Sequence, residues 1–393
     1  MTWIDWSVLL LYLVVITLIG LWTMKRVKSA AHFFISDRHS GKLMMMFFSF
    51  GAGTHADQAV GVAAKSFTSG ASGIWYQWLW LPVTPFYWLI APLFRRMRAV
   101  TTADYFDARY DGGVGALYAV VGMLQLMVSI GVMLKGAGAM VDAVSGGLIS
   151  SDVAIWGMTL LFVLYGLAGG LNAAIITDLI QGVLTVVLSF LILPFALDAV
   201  GGLDGLRTMV DDPAVFDIVA PGEINAFYIT VIAFNGLVGW VTQPHNMAVS
   251  AAGRTEMEGR WGVTGGNLIK RVCTIAWVLT GLVAIGLYSN TDLHIDYVYG
   301  TMAGDLLPAV APGLVGLFIA ALLAAVMSSC DVFMVTSSAL FTQNIYRRFW
   351  VTDRPDRHYL WVGRAVAVLV VLIGILFAYS FTSVVTGLEV FWV

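Results

Sequence analysis

The sequence predicts an all-α polytopic membrane protein, and three observations carry that prediction. Of its 393 residues 59% are hydrophobic and 11% charged, against roughly 25% charged in a soluble domain, and the mean hydropathy is +0.84. Apolar runs of roughly 20 residues, the length that crosses a bilayer as a helix, recur along the whole chain. Basic residues, finally, concentrate in alternate loops. A net charge of −3 gives no electrostatic reason to expect nucleic acid or an acidic partner, so the partner implied by composition is the lipid bilayer. Both cysteines, Cys273 and Cys330, lie inside apolar runs, and no disulfide framework is expected.

The first apolar run, near 7–24, has no basic residue before it and no small-residue cleavage site, so it reads as a retained span rather than a signal peptide. Lys25, Arg26 and Lys28 follow, which places the N-terminus outside. Further spans fall near 43–64, 74–94, 114–143, 153–169, 173–198, 226–250, 267–289, 313–343 and 361–382, and another begins at GLEVFWV. With that orientation the inner loops also hold Arg38 and Lys42; Arg95, Arg96, Arg98 and Arg109; Arg254, Arg260, Lys270 and Arg271; and Arg347, Arg348, Arg354, Arg357 and Arg364. Eighteen of the 21 basic residues are then inside. Arg207 alone falls in an outer loop, within the acidic stretch DGLRTMVDDPAVFDIVAPGE, while Lys65 and Lys135 sit at or within spans. The chain reads as one transmembrane domain, 1–393, of a plasma (inner) membrane protein, and its end inside a hydrophobic run is the pattern of a chain cut short.

Polar groups at bilayer depth cost a few kcal/mol each and mark candidate functional sites. In MMMFFSFGAGTHADQAVGVAAK, Gly51, Gly53, Thr54, His55, Asp57 and Gln58 crowd together. Two glycines and this polarity weaken a continuous helix, as in a discontinuous one that exposes carbonyls to a ligand; helix packing through small residues would also explain Gly51 and Gly53, but not Asp57. In VMSSCDVFMVTSS, Ala325, Ser328 and Ser329 stand at i, i+3 and i+4, so a carbonyl and two hydroxyls face one way. Such an all-oxygen half-shell suits a hard cation. The competing reading is hydroxyls bonded to their own helix or gluing helices together, which fits Thr336, Ser337 and Ser338 better than the serine pair next to Asp331. Asp178, in GGLNAAIITDLIQG, lies about 10 Å inside its span at 1.5 Å per residue, and must pair, be protonated or hold a cation. Lys135, in VMLKGAGAM, could snorkel, bind a solute carboxylate or pair with Asp57. Gln77, among Trp75, Tyr76 and Trp78, adds a donor and acceptor beside an interfacial aromatic belt.

GGLNAAIITDLIQG, VMSSCDVFMVTSSALFTQNIYRR and TQPHNMAVSAAGRTEMEGR together resemble, in order and spacing, the fifth, eighth and end of the sixth core helices of the sodium/solute symporter family. The similarity spans essentially the whole chain. It implies a LeuT-type fold: an extra N-terminal helix (7–24), then two inverted five-helix repeats (43–198 and 226–393), the second incomplete because the chain stops where the tenth core helix begins. It further implies sodium-driven symport of a small organic solute, with Na+ as coupling ion and no other metal or cofactor. Carried over residue by residue, the resemblance implies a sodium site of the Gly51 and Thr54 carbonyls, the Ala325 carbonyl and the Ser328 and Ser329 hydroxyls, and a second ion site at Asp178, where Asp331 is a further candidate. Solute contacts of sugar-transporting members match Gly53, Gln58 and Gln77, to which the polar clusters add His55, Asp57 and Lys135. Gly53 stands where those members carry asparagine, so a sugar substrate does not follow.

Three other readings of the residues stay open. A proton-coupled symporter would titrate Asp178, Asp57 or Asp331. A solute-sensing module would use the same core but pass the signal to a soluble domain. A membrane enzyme fits least: His245, in QPHN, has no second histidine at i+4, and no metal-ligand spacing appears.

Overall fold

The computed structural model describes residues 1–24, 33–34, 40–210, 212–220, 224–384 and 386–387. The expected inner loop with Lys25, Arg26, Lys28 and Arg38 lies outside these residues, as does the expected last span beyond Gly387. α1 (Trp3–Met24) turns Leu10, Leu11, Val14 and Leu18 outward and buries Leu9, Tyr12 and Ile16, the one-sided stripe of a helix packed on a core. Among the described residues, six helices are long and apolar enough to cross a membrane, and one bent pair makes a seventh.

The expected second span is two helices, α2 (Lys42–Gly53) and α3 (Ala56–Ser69), separated by extended backbone at Thr54 and His55. His55 starts α3 in a capping box, with its N–H donating to Gln58 Oε1 at 3.4 Å, so the second helix has its own start signal. The expected span 74–94 is not continuous either. Short helical turns at Gly70–Ile74 and Trp75–Trp78 precede α4 (Thr84–Met97), whose first turn holds Pro85; with Pro82 before it, proline removes the amide donors a through-running helix would need.

α5 (Thr102–Arg109) is short, and α6 (Gly112–Ser145) is a long span ended by Gly146 at φ 64. The fifth and sixth expected spans form α7 (Ser151–Leu191), bent at Gly170, where φ is 54 and a Cβ would lie 2.5 Å from Phe33 Cδ2. The span expected at 226–250 is again two helices, α8 (Ala226–Thr242) and α9 (Pro244–Ala251), bent by 61° at Gln243.

α10 (Glu256–Tyr288) begins well before the expected 267, under a capping box of Thr255 and Glu258. It lies on α2 at very close range: a Cβ on Gly266 would come 2.7 Å from the Met46 carbonyl and 2.8 Å from the Phe50 nitrogen, the small-residue approach that brings membrane helices together. α11 (Val298–Val310) precedes α12 (Leu314–Ala339), which continues as a π-helix over Leu340–Trp350, and α13 (Asp356–Ser380) follows. α12 is buried on every side and packs against α1, α6, α7 and α13. Its first turn is held by Asp5, whose Oδ1 accepts from the N–H groups of Gly313 at 2.9 Å and Gly316 at 3.0 Å, a carboxylate at a helix N-terminus.

Candidate functional site

Where α2 breaks, it faces α12. The Gly51 carbonyl accepts from Ser328 Oγ at 3.1 Å and Ser329 Oγ at 2.7 Å. The same hydroxyls lie 3.3 Å and 3.4 Å from the Ala325 carbonyl. Two carbonyls and two hydroxyls from different elements therefore converge on one point, with no nitrogen or sulfur among them. Thr54 adjoins the cluster by its N–H, 3.4 Å from the Gly51 carbonyl.

Asp178 is fully buried beside this cluster. A Cβ on Gly51 would lie 3.2 Å from Asp178 Cγ and 3.2 Å from Ser328 Oγ, so carboxylate and serine press on the glycine from the same side. Neither Asp178 carboxylate oxygen has a hydrogen-bond partner among the described residues. A buried carboxylate in that state calls for a proton or a cation. Asp331 is also buried, one turn beyond Ser328, and faces Gly166 of α7 within electrostatic reach of Asp178. Further along α12, Ser338 Oγ donates to the Val335 carbonyl at 2.8 Å, a bond within its own helix.

Next to the break lies a cavity, with about 620 Å³ of space between atoms, part of it open solvent. Four residues singled out in the sequence line it: Gly53, His55, Gln58 and Gln77. Its aromatic walls are Trp80, Phe333 and the pair Tyr87–Trp240, whose rings are 4.2 Å apart. Asp57 and Lys135 are not in the lining. Asp57 Oδ1 instead meets His55 Nδ1 at 3.2 Å. Lys135 is half-buried on α6, and its charge acts on Asp296, in the turn before α11. Burial raises the Asp296 carboxyl above its ordinary value, against the Val384 N–H bond and the charges of His294 and Lys135.

The largest departure from the sequence reading concerns Lys270 and Arg271, expected in an inner loop. Because α10 starts at Glu256, they stand about 21 Å along it at 1.5 Å per residue. Both are buried and both line the cavity. Lys270 Nζ donates to the Gly53 carbonyl, while Arg271 Nη1 donates to the Gln77 carbonyl at 2.6 Å and Nη2 to Asn267 Oδ1 at 3.3 Å. His245, Asn246 and Gln243 also line the cavity and had not been read as site residues. Asn246 Nδ2 bonds the Trp240 carbonyl at 2.8 Å and Gln243 Oε1 at 3.1 Å. Signals for both omissions exist in the sequence: Thr255-x-x-Glu258 is a capping box, and Gln243-Pro244 interrupts an apolar run as a broken helix does.

The sodium:solute symporter family model matches residues 33–391. A sodium/glucose cotransporter of Vibrio parahaemolyticus is 24% identical, over 96% of this chain and 75% of that protein. An osmoregulated proline transporter of Bacillus subtilis is 23% identical, over 96% of this chain and 78% of its own length. For sodium/glucose cotransporter 4 of Danio rerio the figures are 25%, 94% and 62%, so this chain spans 62% to 78% of these relatives' own length. Among solved structures, a substrate-bound, outward-open Na+-coupled sialic acid symporter superposes with a TM-score of 0.85 at 21% identity, over 96% of this chain and 82% of the other. The protein thus has the fold of that symporter, as the LeuT-type expectation required. The matched names are those of symporters and cotransporters, which favours transport over the sensing and enzyme readings. The chain belongs to the sodium:solute symporter family.

Proposed function

We propose that this protein carries a small organic solute across the plasma membrane together with sodium, by alternating access. The observation that carries the reading is the convergence of the Gly51 and Ala325 carbonyls with the Ser328 and Ser329 hydroxyls where α2 breaks against α12. A sodium ion held there ties the broken helix to α12, and a solute in the adjoining cavity touches the same break at Gly53 and His55. Each ligand then favours the other through the shared backbone, and the coupling is reciprocal. Asp178 supplies a second ion position, with Asp331 behind it. Gly53, His55, Gln58 and Gln77 contact the solute; Asp57 orients His55, and Lys135 acts on the outer side through Asp296. Motion between the 43–198 and 226–393 repeats alternates access, with 7–24 outside the repeat pair. The N-terminus is outside: with Lys270 and Arg271 in the membrane, sixteen of the 21 basic residues still fall on the inner side. Sodium is the coupling ion, and no organic cofactor takes part.

Thermal stability of the purified protein against sodium, with potassium or choline at equal ionic strength, tests this. Sodium raises Tm of the wild type specifically, by mass action on the folded state, and Ser329→Ala removes most of that rise. Equal shifts with all three cations would overturn sodium coupling.

A further inference from the structure

The sodium site leaves two adjacent cations in the cavity wall unused. Lys270 donates one N–H to the Gly53 carbonyl, and an ammonium has three. Arg271 engages both Nη atoms with neutral oxygens, the Gln77 carbonyl and Asn267 Oδ1, and its guanidinium also meets the Tyr87 hydroxyl, a further neutral group. Neutral acceptors satisfy the direction of a hydrogen bond but do not cancel a charge held in a low-dielectric interior. Among the described residues, no aspartate or glutamate lines the cavity. Asp57 is in electrostatic reach of Lys270 and lies 3.2 Å from His55 Nδ1, so it offsets one of the two cations at most. The wall therefore has excess positive charge, buried where the solute would sit.

We propose that the solute is a small organic monoanion whose carboxylate is held by Lys270, with Arg271 beside it. This rests on the cavity being the solute site. A zwitterion fits less well, since its ammonium would find no acidic side chain in the lining. The rest of the solute faces the rings of Trp80, Tyr87, Trp240 and Phe333 and the amides of Gln58, Gln243 and Asn246, a lining that suits a ring-shaped remainder with or without hydroxyls. Arg271 acts as a second fixed charge and holds Gln77 by its backbone, so the polar wall is set before the solute arrives.

The test is the concentration dependence of Tm in saturating sodium for matched pairs: acetate and acetamide, lactate and lactamide, benzoate and benzamide, proline and prolinamide, with glucose as a neutral polyol. In the wild type at least one of acetate, lactate and benzoate binds about tenfold or more tighter than its amide. Lys270→Gln and Arg271→Gln each bring that preference to about threefold or less, and the charge-preserving Lys270→Arg retains it and shows that a folded variant can be made at this position. Preference for glucose, an amide or proline over the simple acids overturns the proposal, as do no acid binding at all or a preference that survives both glutamine variants. Sodium coupling is read separately, from the sodium shift without solute. A missing sodium shift alongside an intact acid preference refutes the coupling and leaves the solute class standing.

Discussion

Gly51 meets two demands at once. Its carbonyl accepts both serine hydroxyls, and its α-carbon leaves no room for a side chain beside Asp178 and Ser328. A methyl group at that position would sit 3.2 Å from each, tighter than ordinary contact, so it must displace either the carboxylate or the hydroxyl. Gly51→Ala should therefore weaken sodium binding by about tenfold, ~1.4 kcal/mol, while the folded protein survives; the sodium midpoint of the Tm shift measures it. Of these contacts, the i, i+3, i+4 pattern of Ala325, Ser328 and Ser329 is legible in the sequence, because one helix fixes it. That they meet Gly51 across 274 or more positions of chain is not, since no local rule pairs two helices.

At the scale of elements, breaks and close approaches build the cavity. α2 and α3 part at Thr54–His55, α8 and α9 at Gln243, and α10 runs past both. Lys270 reaches the Gly53 carbonyl because Gly262 and Gly266 let α10 lie against Met45 and Met46, with hypothetical Cβ contacts of 2.7 Å at both. A valine at Gly266 would drive its branched carbon into the Met46 carbonyl. Gly266→Val should lower stability by about 2–3 kcal/mol, the cost of overpacking a fixed backbone, and lower solute affinity with it, checked by thermal unfolding and by the ligand-dependent Tm shift. The first break was legible from two glycines amid polar residues. The second is marked in the sequence by Gln243-Pro244 alone, a shorter signal within a longer apolar run. α10 was read too short because GRWGVTGGN is polar enough to pass for a loop; its small and polar residues instead serve packing and the cavity.

For the whole molecule, charge balance sets what the membrane potential can do. On the proposed reading, two sodium ions entering with one monoanion would move one net positive charge inward per cycle, and about 100 mV would then contribute roughly 2.3 kcal/mol. Uptake into vesicles should be stimulated by an inside-negative potential set with valinomycin and potassium; uptake indifferent to potential would mean one ion per anion and would remove the second ion. The sequence by itself determined the all-helical membrane class, the first helix break, the serine pair and the buried Asp178, because hydropathy, glycine content and helical spacing act over a few residues. Only the tertiary structure decided that Lys270 and Arg271 are buried on a long apolar helix rather than placed in a loop, that they meet Gly53 and Gln77, and that Lys135 and Asp57 stay out of the cavity lining. Those outcomes depend on where α10 begins and which face it presents to α2, and that is settled by packing between distant segments.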